Sequence, residues 1–459
     1  MKAIIMAGGL GTRMSKKFPG VPKCFIELDS KTVLEYQLEQ LYQNQIYEVI
    51  LVVNSETFDY LNKHPTIDFS YHGRLMTKFY VEENPKGTAG SLFDICKNHF
   101  YFESAGTKEN EDFLLIFGDI IFDMSLFRLK EFHENRKSNV YEEHIATIVT
   151  HPSSHIDDSD IVLVYDRDIY TKKDITEVRY ISRKGTIRHY EYANLTSAGI
   201  YCLNTSIFRD YRIEDRMYEC RDKNAKIDLM DVLEEASGLI HEYSYKTTEY
   251  IKDMGTPERY KEVLQYIKSG RYYQLLRRAV FLDRDGTINH IENGKFVNSV
   301  EDLHLYKYAA KAIKIFNSLG YVVIIVTNQG GINLGYMTEN TLRDIHDRLE
   351  MELAKEGAYV DDILYCPHYG GGCGCRKPSP GLVNYAINKC KINNDQSWFI
   401  GDSTVDIKTG ENASLKTILL KTGVGGKDHK YDEVKPNYKF KNLLEAAKFI
   451  AKLEKKDVL

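Results

Sequence analysis

The feature that most restricts this chain is a recurring short run that is apolar from end to end. "AIIMAGG", "EVILVVN", "FLLIFGD", "IVLVYD", "RAVFLDRDG", "YVVIIVTN", "SWFIGD" and "TILLKTG" all lack the alternation of a half-exposed strand. A strand without a polar face has to be covered on both sides, as in a parallel sheet with helices on each face. Helical patterns such as "KTVLEYQLEQLYQN" and "TENTLRDIHDRLEMELAKEG" separate the runs, and the second opens at Thr338 as an N-cap. Alternating strands and helices predict an α/β chain whose sites lie at the C-terminal ends of the strands.

A length of 459 residues sets the scale at two or three domains. Two segments open alike, an apolar strand running into a glycine-containing turn: "KAIIMAGGLGTRM" at the start and "RAVFLDRDGTI" at Arg278. "GTPERYKEVLQYIKSGRYYQLLRR" between them reads as a helical connector, with the boundary near 270–277. The expected division is 1–255, a connector at 256–277, and 278–459. The final "NLLEAAKFIAKLEKK" reads as an amphipathic helix that packs on its own domain.

Charge and cysteine usage narrow the classes of function. A net charge of −5 argues against a nucleic-acid partner held by a basic face. No apolar run reaches the length of a membrane span, and "MKAIIMAGG" turns glycine-rich too early for a signal peptide. Of eight cysteines, only those within 366–375 are clustered, which favours a reducing cytoplasm and one local metal site over a disulfide scaffold.

In "MAGGLGTRM", Gly8, Gly9 and Gly11 follow a strand directly. Such a turn lets backbone N–H groups and a cation, here Arg13, approach phosphates closely. Taken alone it is equally a tight turn with no ligand. It lacks the third glycine and helix of the dinucleotide fingerprint and the Gly-Lys-Ser/Thr of a P-loop. Further on come Pro22-Lys23, "NPKGTAGSL", "IFGDIIFD" and "IKDMGTPERY". With these in order, residues 1 to about 260 resemble the sugar-phosphate nucleotidyltransferases, which implies a GT-A-like, Rossmann-like parallel-sheet domain. The resemblance gives Gly8, Gly9, Gly11, Thr12, Arg13 and Lys23 to the nucleotide triphosphate. It gives Gly87, Thr88 and Ala89 to the base and sugar pocket, and Asp119 and Asp253 to Mg²⁺. In that chemistry a sugar phosphate oxygen attacks the α-phosphorus in line and pyrophosphate leaves, so positioning and charge neutralisation carry the catalysis. Where many relatives carry a lysine before the next helix, this chain reads "KIDLMDVL", leaving Lys226 and Arg179 as the alternatives for a second phosphate contact.

The second half carries "FLDRDGT", "VTNQGG", "CRKP" and "FIGDSTVD", each at the end of an apolar run or close to one. A parallel sheet brings Asp283, Asp285, Thr327, Asn328, Lys377, Asp402 and Asp406 to one edge, where clustered carboxylates require a cation and a phosphate to balance them. This set resembles the haloacid dehalogenase superfamily of phosphatases over about 278–430, and the short interval between Asp285 and Thr327 implies a capless member. By resemblance, Asp283 is the nucleophile that forms an aspartyl phosphate and Asp285 the acid and base. Asp283, Asp285 (through its carbonyl) and Asp402 hold Mg²⁺ with Asp406 behind, while Thr327, Asn328 and Lys377 grip the phosphoryl oxygens. Asp285 has to be protonated for part of the cycle, for which a neighbouring carboxylate and burial are expected.

"CPHYGGGCGCRKP" together with "DRDGTIN" resembles the heptose 1,7-bisphosphate phosphatase and histidinol-phosphatase branch of that superfamily. The resemblance implies a structural Zn²⁺ on Cys366, His368, Cys373 and Cys375, and a substrate contact from Arg376. Three thiols and one imidazole make a closed tetrahedral set, which suits a structural zinc. Three departures stand out: Gly330 replaces the serine usual after Thr-Asn-Gln, Leu334 stands where an arginine usually follows, and the Tyr369–Gly372 loop between His368 and Cys373 is short for that branch. A phosphatase that yields a sugar 1-phosphate beside a transferase that consumes one implies two successive steps of nucleotide-activated heptose synthesis, with GTP as nucleotide. The implied partners are small molecules, sugar phosphates and NTP, with neither nucleic acid nor membrane.

Overall fold

A computed structural model describes residues 1–9, 14–64, 67–83, 86–98, 111–137, 145–164, 176–184, 194–208, 226–235, 240–274, 276–291 and 297–456. They form two compact units. One comprises Met1–Thr150, Asp160–Arg183 and Ser197–Tyr272, the other His151–Ser159, Lys184–Thr196 and Tyr273–Leu459.

The first unit is built on a nine-stranded sheet. The strand Lys2–Met6 lies at its centre, parallel to Glu48–Asn54 on one side and Asp112–Phe117 on the other. Met76–Glu82 extends the parallel part, whereas Thr196–Asn204 runs antiparallel to Asp112–Phe117, so the sheet is mixed beyond that point. The apolar runs fill both faces. Ile4, Val52 and Leu115 enter one core, and Ala3, Ile5, Leu51 and Ile116 the other. The helix Val33–Gln43 begins with a capping box, in which Thr32 Oγ1 accepts from Glu35 N at 3.2 Å and the Glu35 carboxylate accepts from Thr32 N at 2.7 Å.

The second unit carries a six-stranded, fully parallel sheet. Its order is Asp362–Cys366, Val322–Asn328, Ala279–Leu282, Trp398–Gly401, Lys416–Leu420 and Tyr438–Phe440. Val280 and Leu282 face one core, with the helices Ala309–Ser318, Glu339–Lys355 and Leu443–Lys456, while Ala279 and Phe281 face the other, with Gly381–Cys390. Thr338 caps its helix as expected, Oγ1 accepting from Thr341 N at 3.0 Å, and the last helix buries Leu443, Ala446, Ala447 and Ile450. No helix among the described residues is long and apolar enough to cross a membrane.

One buried acid lies away from both strand-end sites. Glu242, on the strand His241–Lys246, is 6% exposed, and its Oε1 has no hydrogen-bond partner among the described residues. Burial alone pushes its carboxyl from the ordinary 4.5 up to about 8. Between those values the folded chain binds a proton that the unfolded chain has released, so this group lowers stability as pH rises across the window. The thermal midpoint of the first unit should fall between pH 5 and 8, and Glu242→Gln should flatten that slope. Parallel slopes for both proteins by calorimetry would contradict it.

Candidate active sites and metal centre

In the first unit the strand ends open onto a cavity of about 320 Å³. Gly8, Gly9, Lys23, Gly87, Thr88 and Asp119 line it, together with Glu82 and Lys226. Gly8 is pressed against the next strand, where a Cβ would lie 3.1 Å from Asn54 N, and the Asn54 side-chain amide donates to Gly8 O at 2.9 Å. Gly87 has φ +86°, and a Cβ there would fall 2.4 Å from Ile227 O, so glycine is demanded twice over. Around it Ala89 N donates to Ile227 O, Ile227 N to Lys86 O and Leu229 N to Thr88 Oγ1, at 3.0, 2.8 and 3.1 Å. These bonds lay the 226–229 segment along the pocket wall.

That placement separates the two alternatives for the second phosphate contact. Lys226 lines the cavity, whereas Arg179 is exposed on the strand Val178–Ser182 and is not among the lining residues. Asp228 and Asp231 of the same segment are occupied by Arg183, at 3.4 and 2.8 Å. Ala89 departs from its expected role: it is fully buried behind the wall and only its backbone takes part. Gly11, Thr12 and Arg13 lie outside the described residues.

Lys23 and Asp119 form an ion pair at 2.8 Å on the cavity floor. Asp253 lies on the paired strand of the same ribbon, and Met254 N donates to Asp119 O at 2.8 Å. Its carboxylate, however, is bound by Arg259 at 2.6 Å and by Gly255 N at 2.9 Å. Burial raises the Asp253 carboxyl, but Arg259 and the Gly255 amide outweigh it and hold the group below the usual range. As arranged, the ribbon offers the cavity one carboxylate, Asp119, rather than the expected pair. Sequence reasoning missed Glu82. It is half-buried on the wall, accepts from Ser91 Oγ, and has its carboxyl raised by burial.

The second unit gathers its acids as expected. Ligand oxygens of Asp283, Asp402 and Asp406 lie within 4.8 Å of one another. Lys377, 5% exposed, reaches both Asp283 and Asp406 at 2.7 Å. Burial opposes the charge on Lys377, and the two carboxylates more than restore it, raising the ammonium. One cation does not balance three acids. Burial and like charge leave the Asp283 and Asp402 carboxyls above their ordinary range. This is a donor set that fits a divalent cation. Gly286, with φ +87°, leaves the room Asp402 occupies, for a Cβ there would lie 2.5 Å from Asp402 Oδ2. Asp406 is fixed by a capping box with Ser403, whose Oγ donates to it at 2.7 Å.

Two residues differ from their expected settings. Asp285 has the expected carboxylate neighbour, its charge helping to raise the Asp283 carboxyl, but its own oxygens are also surrounded by donors. Its Oδ1 accepts from Arg284 and from Asn289 Nδ2 (3.0 Å), and its Oδ2 from Arg284 Nη2 (2.9 Å) and Gln329 Nε2 (3.0 Å). Asn328 is spent on Lys377: its Oδ1 accepts from Lys377 N at 3.0 Å and its Nδ2 donates to Lys377 O at 3.2 Å, so it seats the lysine's main chain. Behind Asp285, fully buried Arg284 donates to His346 Nε2 at 3.3 Å. Burial and the guanidinium hold that imidazole well below its usual range, and therefore neutral. Arg284 and Asn289 sit inside "DRDGTIN" and were legible there. His346, inside an amphipathic helix, had no such signal.

Cys366, His368, Cys373 and Cys375 converge as expected, with ligand atoms within 4.8 Å. The separations Cys366–Cys373, Cys366–Cys375, Cys366–His368 and Cys375–His368 are 3.6, 3.3, 3.6 and 3.3 Å. Sulfurs this far apart are not disulfide-bonded, and the four separations among the three thiols and the imidazole lie close to the ~3.7 Å edges of a tetrahedron with arms of about 2.3 Å. The four donors fit one tetrahedral metal ion.

The same division appears in comparisons with known proteins. The nucleotidyl transferase family model matches residues 2–270, and a HAD-hydrolase-like model matches 374–446. A D-glycero-beta-D-manno-heptose-1,7-bisphosphate 7-phosphatase of Pasteurella multocida is 36% identical over 156 residues, 32% of this chain and 84% of that protein. The enzyme of the same name from Helicobacter pylori 26695 is 41% identical over 145 residues, 31% of this chain and 83% of that protein. The solved D,D-heptose 1,7-bisphosphate phosphatase of B. bronchiseptica, complexed with magnesium and phosphate, is 29% identical. It covers 38% of this chain and 99% of its own, with a TM-score of 0.37. The chain thus belongs to the nucleotidyl transferase family through its first 270 residues and to the heptose-bisphosphate phosphatases of the haloacid dehalogenase type through its second half, a bifunctional sugar-phosphate enzyme with a nucleotidyl-transferring and a phosphomonoester-hydrolysing part.

Proposed function

We propose that the second half removes the 7-phosphate of D-glycero-D-manno-heptose 1,7-bisphosphate and that the first half transfers GMP from GTP to the resulting heptose 1-phosphate. The observation that carries the first step is Lys377 held at 2.7 Å from Asp283 inside a three-carboxylate cluster. An Asp283 oxygen attacks the phosphorus, the bond to the sugar oxygen breaks, and Asp285 gives that oxygen a proton. Water then attacks the aspartyl phosphate while Asp285 takes a proton back, releasing phosphate and restoring both acids. Asp283, Asp402 and the Asp285 carbonyl, with Asp406 behind, would hold Mg²⁺, which would supply the remaining positive charge. Thr327 and Lys377 contact the phosphoryl oxygens, and Arg376 the sugar. Zinc on the Cys366 loop is structural. The Cys366 sulfur lies 3.6 Å from that of Cys373 and 3.3 Å from that of Cys375, beyond disulfide length, which supports a reducing cytoplasm.

In the transferase half a sugar phosphate oxygen attacks the α-phosphorus and pyrophosphate leaves. Lys23, Lys226 and Arg13 neutralise phosphate charge, while Gly8, Gly9, Gly11 and Thr12 cradle it. Asp119, and Asp253 if freed from Arg259, would hold Mg²⁺, which would neutralise phosphate charge. Glu82 on the cavity wall supports guanine as the base. A carboxylate only accepts, and guanine alone among the bases presents two adjacent donors, N1–H and N2–H, on one edge. A second reading, the same two steps on another sugar phosphate, is favoured by Gly330 and Leu334 at the phosphatase rim.

Supplying heptose 1,7-bisphosphate, Mg²⁺ and GTP should release phosphate first and then GDP-heptose. Asp283→Asn should abolish the phosphate while still converting supplied heptose 1-phosphate. No release from the bisphosphate by the wild type would reject the heptose assignment. Glu82→Gln should lower the ratio of kcat/KM for GTP over UTP about tenfold, whereas Lys226→Ala should weaken both nucleotides alike. An unchanged ratio in the glutamine variant would remove Glu82 from base reading. Chelation followed by restoration of Mg²⁺ alone should strip one zinc per chain and raise KM for the bisphosphate. Unaltered kinetics after proven zinc loss would show that the loop needs no brace.

A further inference from the structure

Gly330 and Leu334, two of the departures at the phosphatase rim, meet Tyr369, the first residue of the short loop that is the third. The loop after the strand Val322–Asn328 is fastened to the Cys366–Cys375 segment, Gln329 N donating to Cys366 O at 2.8 Å and Asn333 N to Pro367 O at 3.2 Å. Tyr369 projects from that segment and is 61% exposed, an unusual state for an aromatic ring in an ordered rim. Its ring does not hang free. The Arg376 guanidinium lies 5.9 Å from its centroid and donates at 2.7 Å to the carbonyl of His368, the residue before it.

Gly330 makes this arrangement possible. A Cβ there would stand 3.2 Å from Tyr369 Cδ2, 3.3 Å from Arg376 Nη1 and 3.3 Å from His368 O, all tighter than ordinary contact. The serine common in relatives would press on the ring, the guanidinium and the backbone at once. Leu334, 42% exposed, lies on the same fastened loop, its N–H donating to Gly330 O at 3.2 Å. Next in sequence after Arg376 is Lys377, whose ammonium touches the nucleophile. An aromatic ring and a guanidinium, held together and tied to the zinc-type loop, therefore border the place where the phosphoryl group is attacked.

We propose that Tyr369 is a specificity-determining residue of the phosphatase, its ring a platform for the C–H face of the sugar while Arg376 takes an oxygen of the same substrate. Gly330 and Tyr369 form one device. The absence of a side chain at Gly330 makes room for the ring beside the guanidinium. Sugars carry both C–H faces and hydroxyls, so a ring beside a fork of donors recognises them by stacking and hydrogen bonding together. The proposal rests on the phosphatase reading of this half but not on heptose as the particular sugar.

The test compares a panel of sugar phosphates, heptose 1,7-bisphosphate among them, with acetyl phosphate, which has nothing to stack. Tyr369→Ala should lower the ratio of kcat/KM for the best sugar phosphate over acetyl phosphate about tenfold, chiefly through KM, and Tyr369→Phe should restore it. Gly330→Ser should move the ratio in the same direction. Zinc content should match the wild type in all three variants. A fall of both substrates together, or a ratio unmoved by Tyr369→Ala, would overturn the proposal. Wild-type turnover of other sugar phosphates but not the heptose would reject heptose and leave the Tyr369 prediction to be read on the sugar preferred. Turnover of acetyl phosphate alone would overturn both.

Discussion

The phosphatase half is organised around a shortage of positive charge. Lys377 is a single buried ammonium among Asp283, Asp402 and Asp406, and it touches two of them. Removing a lysine from water is costly, and the cost is met only because two carboxylates hold it. Much of the surrounding structure serves that arrangement. Asn328 seats the lysine's main chain, the capping box at Ser403 fixes Asp406, and Gly286 clears space for Asp402. The residual negative charge makes the cluster a donor set that fits a divalent cation. It also explains why the parallel sheet comes first: only strands that end together deliver acids from such distant segments to one point.

The lysine's own approach depends on the cysteine loop. Gly370, Gly371 and Gly372 give this segment little stiffness, yet Arg376 and Lys377 have to emerge from it at fixed positions. Four converging metal-type donors anchor one side, and main-chain bonds to the loop after Asn328 anchor the other. A loop held from two sides can present a large exposed aromatic ring without losing it to disorder. The brace and the Tyr369 platform are thus parts of one solution: a capless active site builds its rim from short loops stiffened by chemistry other than hydrophobic burial.

How much of this was legible depends on what each residue was selected to do. Strands buried on both faces announced themselves as unbroken apolar runs, and Val280 and Phe281 do enter opposite cores. Met76–Glu82 did not, because most of its side chains are exposed and its sequence lacks the apolar run. Acids at strand ends could be found by position, since Asp283, Asp402 and Asp406 each follow a run within a few residues. Side chains that act through another residue could not. His346 and Gln329 read as an ordinary helix residue and an ordinary loop residue, and only the fold brings them to Arg284 and Asp285. Ala89 erred in the opposite direction. Its motif marks a pocket wall, but the wall is made by the main chain, with the methyl group turned into the core.

Both units place a lysine against an aspartate at a strand end, at 2.8 Å for Lys23–Asp119 and 2.7 Å for Lys377–Asp283. They differ in exposure. The first pair leaves 23% and 24% of its side-chain surface exposed, whereas the second leaves 3% and 13%. An ion pair open to water is weakly held and exchanges partners easily, which suits the roles proposed for Lys23 on a triphosphate and Asp119 on a metal ion. A buried pair resists such exchange. That contrast matches the chemistry each half belongs to. Nucleotidyl transfer asks the protein for no covalent bond, only for charges that follow the substrate in. In the mechanism proposed for the second half a carboxylate attacks a phosphate dianion, and that attack requires a cation already fixed beside the nucleophile before the substrate arrives.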